Sequence, residues 1–233
     1  MLEFITLNTI VTDLLLVIRG SKLAQSEPIS KRQLEAWVHQ YRALLLKRDL
    51  DKDKMPNPDY IQEIVGLKLT PVDEIEGIVG VTSDRYILRS DFQLPKTIDL
   101  NFKPGITYVG TADGHEIQFI SEGRSKWQQY RKYTGKNPVA FLRNEYLYVI
   151  PGDIGIRWVD IRGIFEVPTE VNNFVNPTTI QGVAGMNDAY PIPINMIPIL
   201  KELILKNELG IEIQTPSDIK NDSASQVSPN VIK

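Results

Sequence analysis

The stretch that most constrains the fold runs from Pro28 to Lys54, PISKRQLEAWVHQYRALLLKRDLDKDK. Ser30 stands where a helix N-cap belongs, and Gln33 follows at capping-box spacing, so hydroxyl and amide can each satisfy an orphan backbone N–H. Ile29 and Leu34 flank that box as a hydrophobic staple. Leu34, Trp37, Val38, Tyr41, Leu44 and Leu45 recur at three- and four-residue steps and share one helical face, the expected core face of this helix. Lys47 and Arg48 lie near its C-terminal end, where cations complement the helix dipole. Such a helix is specified locally, but its broad apolar face demands a partner. The nearest candidate is residues 6–19, where Ile10, Val11, Leu14, Leu15 and Ile18 repeat at helical spacing and Gly20-Ser21 ends the run. A short polar connection predicts that the two helices pack as an antiparallel hairpin.

Beyond Lys54 the tripeptide Pro56-Asn57-Pro58 interrupts helix, and Asn57 can cap a short turn with Pro58 behind it. From about Gly66 the periodicity changes. LKLTPV, RYILRS, KTIDLNF, ITYVG, HEIQFIS, AFLRNEYLYVI and IRWVDIRGIFEV are short, rich in β-branched and aromatic residues, and punctuated by Gly, Pro, Asp and Asn. Asp113-Gly114 predicts a hairpin turn between strands ending near Val109 and starting at His115, and Arg143-Asn144 predicts a turn between AFLR and YLYVI. One helical segment, Arg124 to Tyr133, interrupts the strands, with Trp127, Tyr130 and Tyr133 spaced for one side. Residues 168–190 lack periodicity and read as a long loop or arm. Helix returns with Asn195 as expected N-cap, Pro198 tolerated in the first turn, and Gly210 as the stop. From Thr215 the chain is polar and expected to be disordered alone. Ile211 and Ile213 alternate just before it, and Val231 and Ile232 close it, so these four are candidate interface residues of a docking arm. The expected class is α+β. N-terminal helices (1–56) lead into a central antiparallel β-rich region (57–167) with one inserted helix near 124–133. A long loop (168–190), a C-terminal helix (191–210) and an extended tail (211–233) follow.

Chemistry is sparse in this chain. It has no cysteine among 233 residues, which excludes disulfides, thiolate zinc sites and a cysteine nucleophile. A net charge of −3 opposes bulk attraction to phosphate. The longest early apolar run, Leu14 to Ile18, is far too short to span a bilayer, and no membrane association is expected. The two histidines, His39 and His115, accompany neither a GxSxG elbow nor an HExxH motif, and read as solvated or locally hydrogen-bonded. Asp49, Asp51 and Asp53 alternate like the opening of a calcium loop, but Lys54 replaces its glycine and Tyr60 its final glutamate. The glycine pairs Gly77/Gly80 and Gly182/Gly185 lack phosphate-loop spacing and read as turns. Arg124, Lys126, Arg131, Lys132 and Lys136 surround Trp127, Tyr130 and Tyr133, a composition also found in nucleic-acid patches. At helical spacing those aromatics are expected in the core, with the charges reaching out to water. No catalytic, metal-ligating or cofactor-binding residue is expected.

Three stretches together resemble one family: ISKRQLEAWVHQYRALLLKRDLDK, WQQYRKYTGKNPVAFLRNEYLYVI and YPIPINMIPILKELILKNELGIEIQTPSDIKND. They are similar to the head-to-tail connector, or neck ring, proteins of crAss-like and related podovirus-like phages of Bacteroidales. The resemblance implies a structural virion protein. It implies assembly with itself as a closed ring, a dodecamer, and contact with the portal protein and neighbouring neck or tail ring proteins. Genome DNA would pass through the channel without sequence-specific binding, and assembly would take place in the host cytoplasm. Two other classes remain in view: a nucleic-acid-binding module using the Arg124–Lys136 patch, and a virion-associated hydrolase.

Overall fold

The computed structural model describes residues 5–19, 29–52, 57–72, 87–100, 105–151, 155–174 and 187–210. Thr6 caps the first helix, α1 (Leu7–Ile18), by accepting the Thr9 N–H at 3.1 Å. Ser30 caps α2 (Lys31–Leu50) in the same way, its Oγ accepting the Gln33 N–H at 3.2 Å. The C-terminal helix, α4 (Ile197–Leu209), starts one residue later than an Asn195 cap predicts, with Met196 at the N-cap position. Asn195 lies inside a 3-10 turn, Ile194–Met196, so it does not cap the helix, whereas Pro198 sits in the first turn. Gly210 ends α4 at φ +64°, the left-handed conformation that costs glycine no Cβ clash.

The three helices share one core. Leu7, Ile10, Val11, Leu14 and Leu15 of α1 meet Leu34, Val38 and Tyr41 of α2 and Ile197, Leu200, Ile204 and Leu205 of α4. Trp37 and Leu45 are half-buried against the same cluster. Leu44 departs from the expected core face: it is 40% exposed. Arg42 and Leu46 are buried instead, because α2 has to satisfy neighbours on two sides. The C-terminal half of the helix leaves the helical cluster and packs Leu46 and Leu50 against Tyr60, Ile98 and Ile164, at the edge of the β-region.

Among the described residues seven strands form one sheet in the order β3-β7-β1-β2-β6-β5-β4, with β1 Gln62–Pro71, β2 Leu88–Ser90, β3 Ile106–Thr111, β4 Gln118–Phe119, β5 Val139–Arg143, β6 Tyr146–Ile150 and β7 Trp158–Gly163. Every pairing is antiparallel except β4 with β5. The first strand begins at Gln62, earlier than the LKLTPV segment, because Gly66 does not start it but forms a bulge inside it. The register slips between Ile64 and Leu67, Gly66 takes φ +69°, and its N–H donates to Asp160 Oδ1 at 2.8 Å. The Asp113-Gly114 turn lies where expected, whereas the second falls one residue later than Arg143-Asn144, because Arg143 is still in β5 and pairs with Tyr146. Thr111 N–H donates to the His115 carbonyl at 2.9 Å around Asp113-Gly114. Asn144 and Glu145, at φ 50° and 66°, form the two-residue turn between β5 and β6. The outermost strands, β3 and β4, follow each other in the chain, and Ile117 N–H donates to the Val109 carbonyl at 2.8 Å. The sheet therefore curls until its two ends meet around a single core that includes Val109, Ile117, Leu147, Val149, Val159 and Ile161.

Because β4 and β5 are parallel, the chain between them must travel back outside the sheet. That crossover is residues 121–137. It is not one helix over 124–133, as the spacing predicts, but a one-turn helix, α3 (Glu122–Ser125), followed by a 3-10 turn at Gln128–Tyr130. Likewise, the start of the expected 168–190 loop is a 3-10 helix, Pro168–Phe174, with Pro168 and Val171 buried.

Candidate assembly surfaces

One surface is a groove along α2. The helix face opposite its core carries Arg32, Glu35, Ala36, His39 and Gln40, and the facing wall is the chain at Glu166, Val167 and Glu170. The small Ala36 and Ala43 leave an open volume of about 700 Å³ between the two walls. Glu166 is held from below by its own N–H to the Lys96 carbonyl (2.8 Å), and its carboxylate meets Lys96 Nζ at 3.2 Å.

His39 belongs both to that groove and to a buried polar node behind it. Its Nδ1 shares a 2.8 Å hydrogen bond with Tyr190 Oη. Burial, and secondly the nearby Arg42 charge, push the His39 pKa down to about 4, so the imidazole is neutral near pH 7. Burial raises the Tyr190 phenol above its ordinary range. Arg42 is fully buried. Its Nε donates to the Pro191 carbonyl at 2.7 Å and one Nη to the Phe165 carbonyl at 2.8 Å, while the guanidinium lies 5.7 Å from the Tyr190 ring centroid. Desolvation lowers its pKa only to about 10, leaving it charged. The node is thus a clamp that joins α2 to the end of the sheet and to the segment before α4. Sequence spacing did not single out Arg42, because an arginine on a helix normally reads as solvated. The signal available was its place one step from Tyr41 on the buried side.

The second surface is the crossover 121–137. Among its described side chains the two buried ones are polar: Ser125 Oγ donates to the Glu122 carbonyl at 2.7 Å, and Gln128 Nε2 to the Thr134 carbonyl at 2.6 Å. The aromatics face out, with Trp127 69%, Tyr130 72% and Tyr133 86% exposed. This reverses the expectation that they pack in the core. The helix breaks after one turn, so their three-residue spacing never becomes one inward stripe, and Ser125 and Gln128 take the inward places. Trp127 and Tyr130 lie 6.0 Å apart between centroids, and Lys132 Nζ sits 5.4 Å from the Tyr133 centroid. Arg124, Lys126, Arg131, Lys132 and Lys136 are all exposed around them.

The remaining sequence candidates fall elsewhere. Asp49 is within α2 and Asp51 caps it, so neither belongs to a calcium-type loop. His115 is exposed beside its turn. Asp53, Gly77, Gly80, Gly182, Gly185, Ile211, Ile213, Val231 and Ile232 lie outside the described residues. Among the described residues no group of three or more His, Cys, Asp or Glu side chains is placed to hold a metal ion, and no helix is long and apolar enough to cross a membrane.

A family model described as phage tail ring protein 2 matches residues 9–227, nearly the whole chain. The chain belongs to the phage tail ring protein 2 family. No curated protein matches it. Membership makes the chain a structural ring protein of a bacteriophage virion, assembled with other tail proteins. The Arg42 bond to the Phe165 carbonyl ties α2 to the chain that forms the groove's facing wall.

Proposed function

We propose that this tail ring protein is a subunit of the head-to-tail connector, the neck that joins the portal to the tail and surrounds the DNA channel. The observation that carries this reading is the family match over residues 9–227. Identical copies, twelve in the proposed ring, close around the channel and contact the portal protein and the adjacent neck or tail rings. The genome passes without sequence-specific contact, which suits a chain of net charge −3. Assembly takes place in the host cytoplasm. The docking arm reaches a neighbour by adding a strand at Ile211 and Ile213 to its sheet edge, with Val231 and Ile232 as a small apolar anchor at its end. The protein acts structurally and turns over no substrate.

The exposed basic and aromatic crossover is the one observation that favours a second reading, a nucleic-acid-binding module. Image reconstruction of intact particles separates the two. A closed ring of this chain directly beside the portal is expected. Density for it at the distal tail, or only as scattered copies on DNA, would refute the connector assignment.

A further inference from the structure

A ring of identical copies needs two different surfaces on each chain, one complementary to the other, because head-to-tail contacts close only when unlike patches meet. We infer that the crossover 124–136 is a knob that seats in the α2 groove of the neighbouring copy, making the subunit–subunit contact of the ring. This rests on the ring reading above.

The knob is built to be held out. Topology forces residues 121–137 outside the sheet, since β4 and β5 are parallel. The segment buries two polar side chains beneath itself and leaves Trp127, Tyr130 and Tyr133 facing water. Exposed Trp and Tyr beside Arg are the residue types that dominate protein–protein contact energy. Its charge is also set apart from the rest of the molecule. Residues 121–137 hold five cations against one carboxylate, Glu122, in a chain of net charge −3. That carboxylate lies 3.6 Å from Arg143. A second copy of the chain can supply complementary acidity from elsewhere on its surface.

The groove supplies it. Glu35, Glu166 and Glu170 line an open volume of about 700 Å³ together with the apolar Ala36, Ala43 and Val167. Two cations offset part of this acidity: Arg32 on the same helix face, and Lys96, which holds Glu166. Small apolar residues interspersed with carboxylates fit aromatic rings flanked by lysine and arginine. Duplex DNA fits the knob less well, because its bases are already stacked and offer the three rings no platform, whereas single strands do.

The cysteine-free chain makes a direct test simple. Asn137→Cys, at the exposed end of the crossover, and Gln40→Cys, on the exposed groove wall, are made as separate full-length variants, one of them tagged. They are mixed during ring assembly and treated with a short bismaleimide. A mixed dimer is expected, absent when either variant is used alone. Charge exchange gives a second readout. Arg131→Glu with Lys132→Glu should lower ring yield about tenfold, and adding Glu35→Lys with Glu170→Lys should restore most of it. Rings that form normally by electron microscopy but give no mixed cross-link would overturn the knob-and-groove contact while leaving the ring intact. A wild-type chain that forms no ring with its particle neighbours would instead remove the ring reading itself. Loss of salt-sensitive DNA retention in Arg131→Glu/Lys132→Glu, with ring yield unchanged, would assign the knob to nucleic acid and also overturn the contact.

Discussion

At the scale of single residues, Arg42 connects parts of the chain that are more than a hundred positions apart, through the carbonyls of Phe165 and Pro191. Replacing it with methionine keeps most of the volume but leaves two buried carbonyls without their donor. The expected cost is roughly 2–5 kcal/mol, read as a lower urea midpoint. Arg42→Lys should recover less than half, since one ammonium cannot reproduce a planar fork that reaches two acceptors. A wild-type midpoint for Arg42→Met would mean that the clamp is ornamental. His39 next to it gives a pH signature. Its folded pKa of about 4 lies below the ordinary 6.5, so in that window the unfolded chain binds a proton that the native protein does not. The stability it confers is therefore complete above about pH 6.5, and falls as pH drops toward 4. The loss is on the order of 2–3 kcal/mol. Carboxylates titrate in the lower part of that range, so the informative quantity is the difference between wild type and His39→Gln. A difference that stays constant from pH 7 to pH 4.5 would disprove the assignment.

At the scale of elements, α2 distributes its burial unevenly, and substitutions along it should rank accordingly. Leu34 is completely buried, and Leu34→Ala is expected to cost roughly 2–5 kcal/mol, from lost transfer energy and the cavity left behind. Trp37 is only half-buried, which brings Trp37→Ala down to about 1–3 kcal/mol, below the cost of a fully enclosed indole. Ser30→Ala removes one cap bond and should cost ~1 kcal/mol. Thermal melts that placed Ser30→Ala above Leu34→Ala would contradict this order. In the sheet, Gly66 sits at φ +69° with open space where a Cβ would stand, so Gly66→Ala meets backbone strain alone. A loss of about 1–2 kcal/mol is expected, and a neutral result would show that the bulge relaxes.

At the scale of the whole molecule, α2 is the member common to both halves. Its first turns complete the three-helix core, and its last turns pack on Tyr60, Ile98 and Ile164 beside the sheet. The sheet in turn throws out the crossover, because its ends meet only if β4 runs parallel to β5. Assembly properties are expected to separate from fold stability at this level. Deleting residues 215–233 should leave the melting temperature unchanged while abolishing incorporation into particles, since that polar run has too few hydrophobes to contribute to the core. Normal incorporation of the truncated protein would rule out residues 215–233 as a docking element and direct attention to the knob and groove.

Local signals were legible in the residues themselves. The Ser30 cap, the Asp113-Gly114 and Asn144 turns, the Gly210 stop and the change from helical to strand-like spacing all depend on neighbours a few positions away, and the α+β class follows from them. What required the tertiary structure was direction. Whether Leu44 or Arg42 faces inward depends on α2 having two partners, and a guanidinium is buried only because two distant carbonyls wait for it. Whether Trp127, Tyr130 and Tyr133 form core or surface depends on a parallel strand pair that no spacing in the crossover announces. Periodicity reports which side chains share a face. Which way that face turns is decided by the rest of the chain packed around it.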